Sequence, residues 1–203
     1  MEIAFQADEE RTVYKSLPKF DDNSYVHFIT TNTYKNYPYF QDEEFSQILL
    51  EELRFYSGKL GFVIIGYVIM PTHLHLLLWW DKDKHPMLNI SIIMQRIKGA
   101  TARRIIDLLR GRSEHPLQPV SQNRERMLSA TQDRADPKAH KRNIKHRLWQ
   151  RGFYDFNIYS EETLTEKLDY IHNNPVRAEL VASPGDYAWS SYRLYFPDVV
   201  GQG

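Results

Sequence analysis

The stretch "GYVIMPTHLHLLLWW", residues 66–80, decides how the chain folds. Its first half continues a β-branched and aromatic run that begins at Phe62, "FVIIGYVIM", and Pro71-Thr72 then makes a corner before "HLHLLLWW". Two apolar runs of strand length on either side of a turn read as a β-hairpin. In a strand, side chains two residues apart share a face, so His73 and His75 project side by side while Leu74 and Leu76 point the other way. A segment this apolar reads as buried, and two imidazoles in it need partners. They are either core histidines hydrogen-bonded to backbone or water, or half of a metal site held rigidly by the strand.

The flanking segments supply the rest of an α+β architecture. "SYVHFITTNT", 24–33, alternates and is rich in strand-forming residues. "DEEFSQILLEELRFYSGKLG", 42–61, carries Phe45, Ile48, Leu49, Leu53 and Tyr56 at helical spacing, with acids in its first turn and Gly58 or Gly61 as a stop. "MLNISIIMQRIKGATARRIIDLLRG", 87–111, reads as a long amphipathic helix with Arg96, Lys98, Arg103 and Arg104 off its apolar stripe. "LWQRGFYDFNIYS", 148–160, reads as a strand. "SEETLTEKLDYIHNNP", 160–175, opens with Ser160 as N-cap and acids in the first turn, and its helix is expected to end or kink at Asn174, before Pro175. The order βαββα, connection, βα, followed by an aromatic C-terminal tail, predicts a ferredoxin-like antiparallel sheet with helices packed on it, in one domain spanning 1–203. A polar, basic insertion at 111–147 interrupts it.

Composition narrows the function. The 203 residues include no cysteine, which excludes a disulfide scaffold and any thiolate metal site. The start, "MEIAFQADEERTVYK", has acids where a signal peptide would be basic and then apolar, and no run approaches the roughly 20 apolar residues of a membrane span. A soluble, cytoplasmic protein is expected. Net charge is zero, yet residues 96–151 hold fifteen Lys and Arg against five Asp and Glu. Local potential, not the whole-chain sum, steers phosphates, so a nucleic-acid partner fits this segregation. The plain alternative is a solvated helix and loop.

"DYIHNNPV" supplies the remaining chemistry. Tyr170 and Asn174 are four apart and stack on one helix face. A phenol is a nucleophile, and an amide oxygen is a plausible hard ligand for Mg²⁺ or Mn²⁺ beside two imidazoles. The bland reading gives Tyr170 to a core face and Asn174 to a helix terminus. Tyr154, in "RGFYDF", is a rival tyrosine, and Asp155 is a rival ligand. His172 lies about 200° around the helix from Tyr170, away from the site.

In this order, "YVIMPTHLHLLL", "MQRIKGATARR", "LWQRGFYDFNI" and "DYIHNNPVRAELV" resemble the REP-associated tyrosine transposases, members of the single-tyrosine HUH (His-hydrophobic-His) transposases and nucleases. The resemblance covers roughly residues 20–195. It implies a protein that cuts and rejoins single-stranded DNA near small hairpins through a 5′-phosphotyrosine intermediate. By motif, His73 and His75 correspond to the paired metal ligands, Asn174 to the third ligand of a divalent Mg²⁺ or Mn²⁺, and Tyr170 to the nucleophile. A phenol ionises near pH ~10, so a cation on the scissile phosphate explains the ligand set. Arg96, Lys98, Arg103 and Arg104 are the candidate phosphate contacts. Such a protein would act at the nucleoid, as a monomer or a homodimer. Two alternatives are a domesticated relative that holds hairpins without cutting, and an unrelated nuclease that hydrolyses without a protein adduct.

Overall fold

A computed structural model describes residues 6–8, 11–13, 25–114 and 147–197. The basic insertion expected at 111–147 therefore lies, apart from its two ends, outside the described residues. A two-stranded hairpin comes first, β1 (Gln6–Asp8) with β2 (Arg11–Val13). The main sheet has four strands, β3 (Val26–Asn32), β4 (Val63–Met70), β5 (His73–Trp79) and β6 (Tyr154–Ile158), in the spatial order β4-β5-β3-β6 with every neighbour antiparallel. Because β5 is inserted between β3 and β4, the β3-to-β4 connection is a split βαβ unit, as the ferredoxin-like pattern requires.

Capping chemistry explains where the helices begin. In α1 (Glu43–Leu60), the Asp42 side chain accepts from the Glu44 N–H, and Gly61 closes the other end at φ 78°. That left-handed conformation suits glycine, so Gly61 rather than Gly58 is the stop. The second helix, α2 (Ile90–Glu114), starts three residues later than the apolar spacing suggests. Asn89 caps it, its side chain accepting from the Ile92 N–H at 3.0 Å.

The third helix corrects an expectation. α3 (Glu161–Arg177) is capped by Ser160, but it runs straight through Pro175. The proline loses one backbone hydrogen bond, and its buried ring is retained in the apolar layer. The helix ends instead in a Schellman turn: Leu180 N–H donates to Pro175 O, and Glu179 N–H to Val176 O, with Glu179 at φ 56°. Asn174 therefore stays on the regular helical face that also carries Tyr170.

Strand β6 is likewise shorter than the run 148–160. Gly152 adopts φ 71°, which bends the chain before Tyr154, although Trp149 still bridges to Thr33.

The sheet has two apolar faces. Leu74, Leu76, Leu78, Ile29 and Ile69 pack with Leu49 and Leu53 of α1 and Ile93, Met94 and Ile97 of α2. Phe28, Val68, Met70 and Leu77 pack with Leu164, Leu168 and Ile171 of α3. A register shift between Ile64 and Gly66 lets Ile65 join this second face. The C-terminal segment runs alongside β4: Ile69 N–H donates to Trp189 O, Ser191 N–H donates to Tyr67 O, and the Tyr195 hydroxyl donates to Ile65 O from the short helix α4 (Tyr192–Tyr195). That strap covers the β4 edge, which would otherwise present unpaired backbone groups.

Candidate active site

Leu74, Leu76 and Leu78 of β5 face α1 and α2, so its histidines, like Leu77, face α3. His73 is partly exposed and His75 only 5% exposed. Their rings meet edge to face with centroids 4.7 Å apart. Each Nδ1 has its own hydroxyl partner. Thr30 Oγ1, the cross-strand neighbour of His75, lies 2.8 Å from His75 Nδ1, and Thr72 Oγ1 lies 3.0 Å from His73 Nδ1. A hydroxyl that engages Nδ1 fixes the ring's orientation and leaves the other nitrogen for a ligand. Burial, reinforced by the neighbouring His73, pushes the His75 pKa down to about 3; burial also lowers that of His73, against the hydrogen bond it donates to Asn174. Both rings are therefore neutral at physiological pH, the form that binds a metal.

Helix α3 delivers the phenol and the amide to this place. The Tyr170 ring lies 5.4 Å from the His75 ring, centroid to centroid, and meets Phe28 edge-on at 6.0 Å. One turn on, the Asn174 side chain hydrogen-bonds His73. Among the described residues no group of three or more His, Cys, Asp or Glu is placed to hold a metal ion, so a third protein donor beside the two imidazoles would be this amide. Two neutral imidazoles and an amide oxygen are a donor set that suits a divalent cation of intermediate hardness such as Mn²⁺, and tolerates Mg²⁺ with water completing its shell.

The rivals are separated by the sheet. Asp155 faces the other side, where its carboxylate accepts from His27 Nδ1 at 2.9 Å, so it is not an alternative ligand. Tyr154 is on the histidine side but on β6, in register with Thr30, which stands between it and His75. His172 does point away from Tyr170. Its Nε2 lies 2.8 Å from Ser191 Oγ, tying α3 to the C-terminal strap.

The expected phosphate contacts are not part of this arrangement. α2 packs on the opposite face of the sheet, so Arg96, Lys98, Arg103 and Arg104 are remote from Tyr170. Arg104 is engaged by Glu51 and Glu52 of α1, at 2.7 and 2.9 Å. Lys98 donates to the Gln150 and Gly152 carbonyls, and burial lowers its pKa to about 8. Arg96 and Arg103 are exposed on that far side. The cations beside the site are ones that motif reading passed over. The Arg177 guanidinium carbon lies 5.3 Å from the Tyr170 ring centre, and Lys167 Nζ lies 5.8 Å from the Phe28 ring centre. Their spacing from Tyr170, −3 and +7, is the signal that would have found them. Thr30 was legible in the same way, from strand alternation.

The fold and the site together define an α+β protein with a ferredoxin-like sheet whose paired histidines face a tyrosine on a packed helix. Residues 21–119 match the family model described as "Transposase IS200 like". No curated protein matches the sequence. Among solved structures, a REP-associated tyrosine transposase bound to a REP hairpin aligns with 94% of this chain and 89% of its own, at 15% identity and a TM-score of 0.59. At that identity the likeness is one of fold. A putative transposase from Deinococcus radiodurans R1 aligns with 78% of this chain and 96% of its own, at 21% identity and a TM-score of 0.44. No helix among the described residues is long and apolar enough to cross a membrane.

Proposed function

We propose that this protein cleaves and rejoins single-stranded DNA, with Tyr170 as nucleophile, next to hairpins of the REP type. The observation that carries the reading is the meeting of α3 with β5: the Tyr170 ring 5.4 Å from that of His75, and the Asn174 side chain bonded to His73. Residues almost a hundred positions apart converge there, on a sheet face whose covered side chains, Phe28, Val68, Met70 and Leu77, are otherwise apolar. The hairpin-bound structure of similar fold supports a DNA partner, and the IS200-like family supports strand transfer.

A divalent cation held by His73, His75 and Asn174 would neutralise the scissile phosphate and polarise phosphorus for attack. Thr30 and Thr72 keep the two imidazoles oriented and their Nδ1 atoms occupied. Tyr170 Oη forms the new bond to phosphorus, losing its proton, while the 3′ oxygen departs and takes up a proton as a hydroxyl. The 5′-phosphotyrosine conserves the bond energy, and a second 3′-OH can displace the tyrosine to join DNA. The buried wall of Phe28 and Met70 limits access of water to that linkage.

The test is a denaturing gel of the protein with end-labelled hairpin oligonucleotides carrying single-stranded flanks, with Mn²⁺ or Mg²⁺. A covalent adduct is expected, absent in Tyr170→Phe and in chelator. An adduct that survives Tyr170→Phe would remove the assigned nucleophile, and cleavage without adduct would indicate a hydrolytic nuclease.

A further inference from the structure

We infer that the exposed rings of Tyr154 and Phe156, with Lys167 above the latter, form a shelf on which a nucleobase adjoining the scissile phosphate stacks. The inference rests on the proposed single-strand chemistry and adds where the strand lies.

Tyr154 and Phe156 alternate on β6, so they share a face. Tyr154 is in register with Thr30, which is in register with His75; Phe156 is in register with Phe28, the residue that touches both His75 and Tyr170. The shelf therefore lies on the histidine side of the sheet, two strand spacings from His75, or about 10 Å. Buried aromatics need no explanation, but these are 58% and 39% exposed, whereas the other aliphatic and aromatic side chains of this face, Phe28, Val68, Met70 and Leu77, are almost wholly covered. β6 is also the sheet edge that the C-terminal strap does not protect.

Charge identifies the occupant. Lys167 Nζ stands 5.8 Å from the centres of both the Phe28 and Phe156 rings, with Glu166 at 3.6 Å as its only carboxylate among the ion pairs of the described residues. Lys167, Tyr170, Asn174 and Arg177 fall within an arc of about 80° on α3. A cation thus stands on each side of the nucleophile, and the open ring of Phe156 lies beneath the first of them. Cations that track a backbone beside rings that accept bases are the parts a single strand requires. An aliphatic protein partner would be matched by neither the cations nor the nearness to the phenol.

The experiment uses the full-length protein in chelator, with fluorescence anisotropy on two probes: an oligothymidine, and an oligonucleotide of the same length built of abasic residues. Wild type should prefer the oligothymidine. Tyr154→Ala and Phe156→Ala should each weaken oligothymidine binding by about tenfold and leave the abasic probe unchanged, while Tyr154→Phe behaves as wild type. Lys167→Gln should weaken both probes and lower the salt slope by about 0.7. Thermal unfolding of the alanine variants should match wild type, because both rings are on the surface. If the alanine variants bind oligothymidine normally while wild type still forms the Tyr170 adduct, the shelf is wrong and the proposed chemistry stands. If wild type binds no single strand and forms no adduct, both fall. If Tyr154→Ala instead dissociates a dimer, with base preference unchanged, the rings are a protein interface.

Discussion

Gly66 on β4 and Leu168 on α3 approach so closely that a methyl group on Gly66 would sit 2.7 Å from Leu168 Cδ2 and 2.9 Å from Ile171 Cδ1. The absence of a side chain here sets how deeply α3 beds onto the sheet, and hence the distance from Tyr170 to His75. Gly66→Ala should cost about 1–3 kcal/mol in urea unfolding, as overpacked cores do. Adduct formation should fall further than that loss of folded protein explains, and Gly66→Val should fall further still. Normal adduct formation by the valine variant would show that the helix position does not depend on this contact.

The Thr30 hydroxyl is the sole hydrogen-bond partner found for His75 Nδ1 among the described residues. Thr30→Val keeps the shape of the side chain and removes the bond. Metal affinity should drop about 10–100-fold, read by calorimetric titration with Mn²⁺, with the fold intact by circular dichroism. An unchanged affinity would mean that packing against Phe28 alone orients the ring.

Much of this site was legible because strand and helix periods are rigid rules. Alternation placed His73 and His75 on one face, and a spacing of four placed Asn174 over Tyr170. What failed were inferences that needed a neighbour. A helix wheel shows that Arg104 lies off the apolar stripe of α2, but not that α1 supplies Glu51 and Glu52 to meet it. Nor does sequence show that Lys98 reaches two carbonyls of the loop before β6. Pro175 misled for the opposite reason. Local sterics disfavour helix before a proline, and burial of the ring, with a Schellman turn immediately after, outweighs that preference.

Arg104 offers a direct check of that correction. Arg104→Met should lower stability by up to about 1 kcal/mol, since the pair is half exposed, and leave oligonucleotide affinity and its salt dependence unchanged. Arg177→Met should do the reverse, with little effect on unfolding but a clear loss of adduct formation, since its guanidinium lies over the Tyr170 ring. Weaker DNA binding by Arg104→Met alone would return the phosphate track to α2.

Acid should loosen the anchoring of α3. His172 is 2% exposed, its Nε2 lies 2.8 Å from Ser191 Oγ, and burial pushes its pKa down to about 4. In the unfolded chain the same ring takes its proton near 6.5. Between those values the unfolded state binds more protons, so the group's contribution is complete above pH 6.5, declines as the pH falls, and is spent near pH 4. At about 1.4 kcal/mol per unit, the loss is on the order of 3 kcal/mol by pH 4. Burial likewise lowers the pKa values of His75 and His27, the latter against its Asp155 partner, so they steepen the decline. Urea unfolding at pH 7, 5.5 and 4.5 should show this slope, and His172→Gln should flatten it by about one proton. An identical slope in the glutamine variant would place the acid sensitivity elsewhere in the fold.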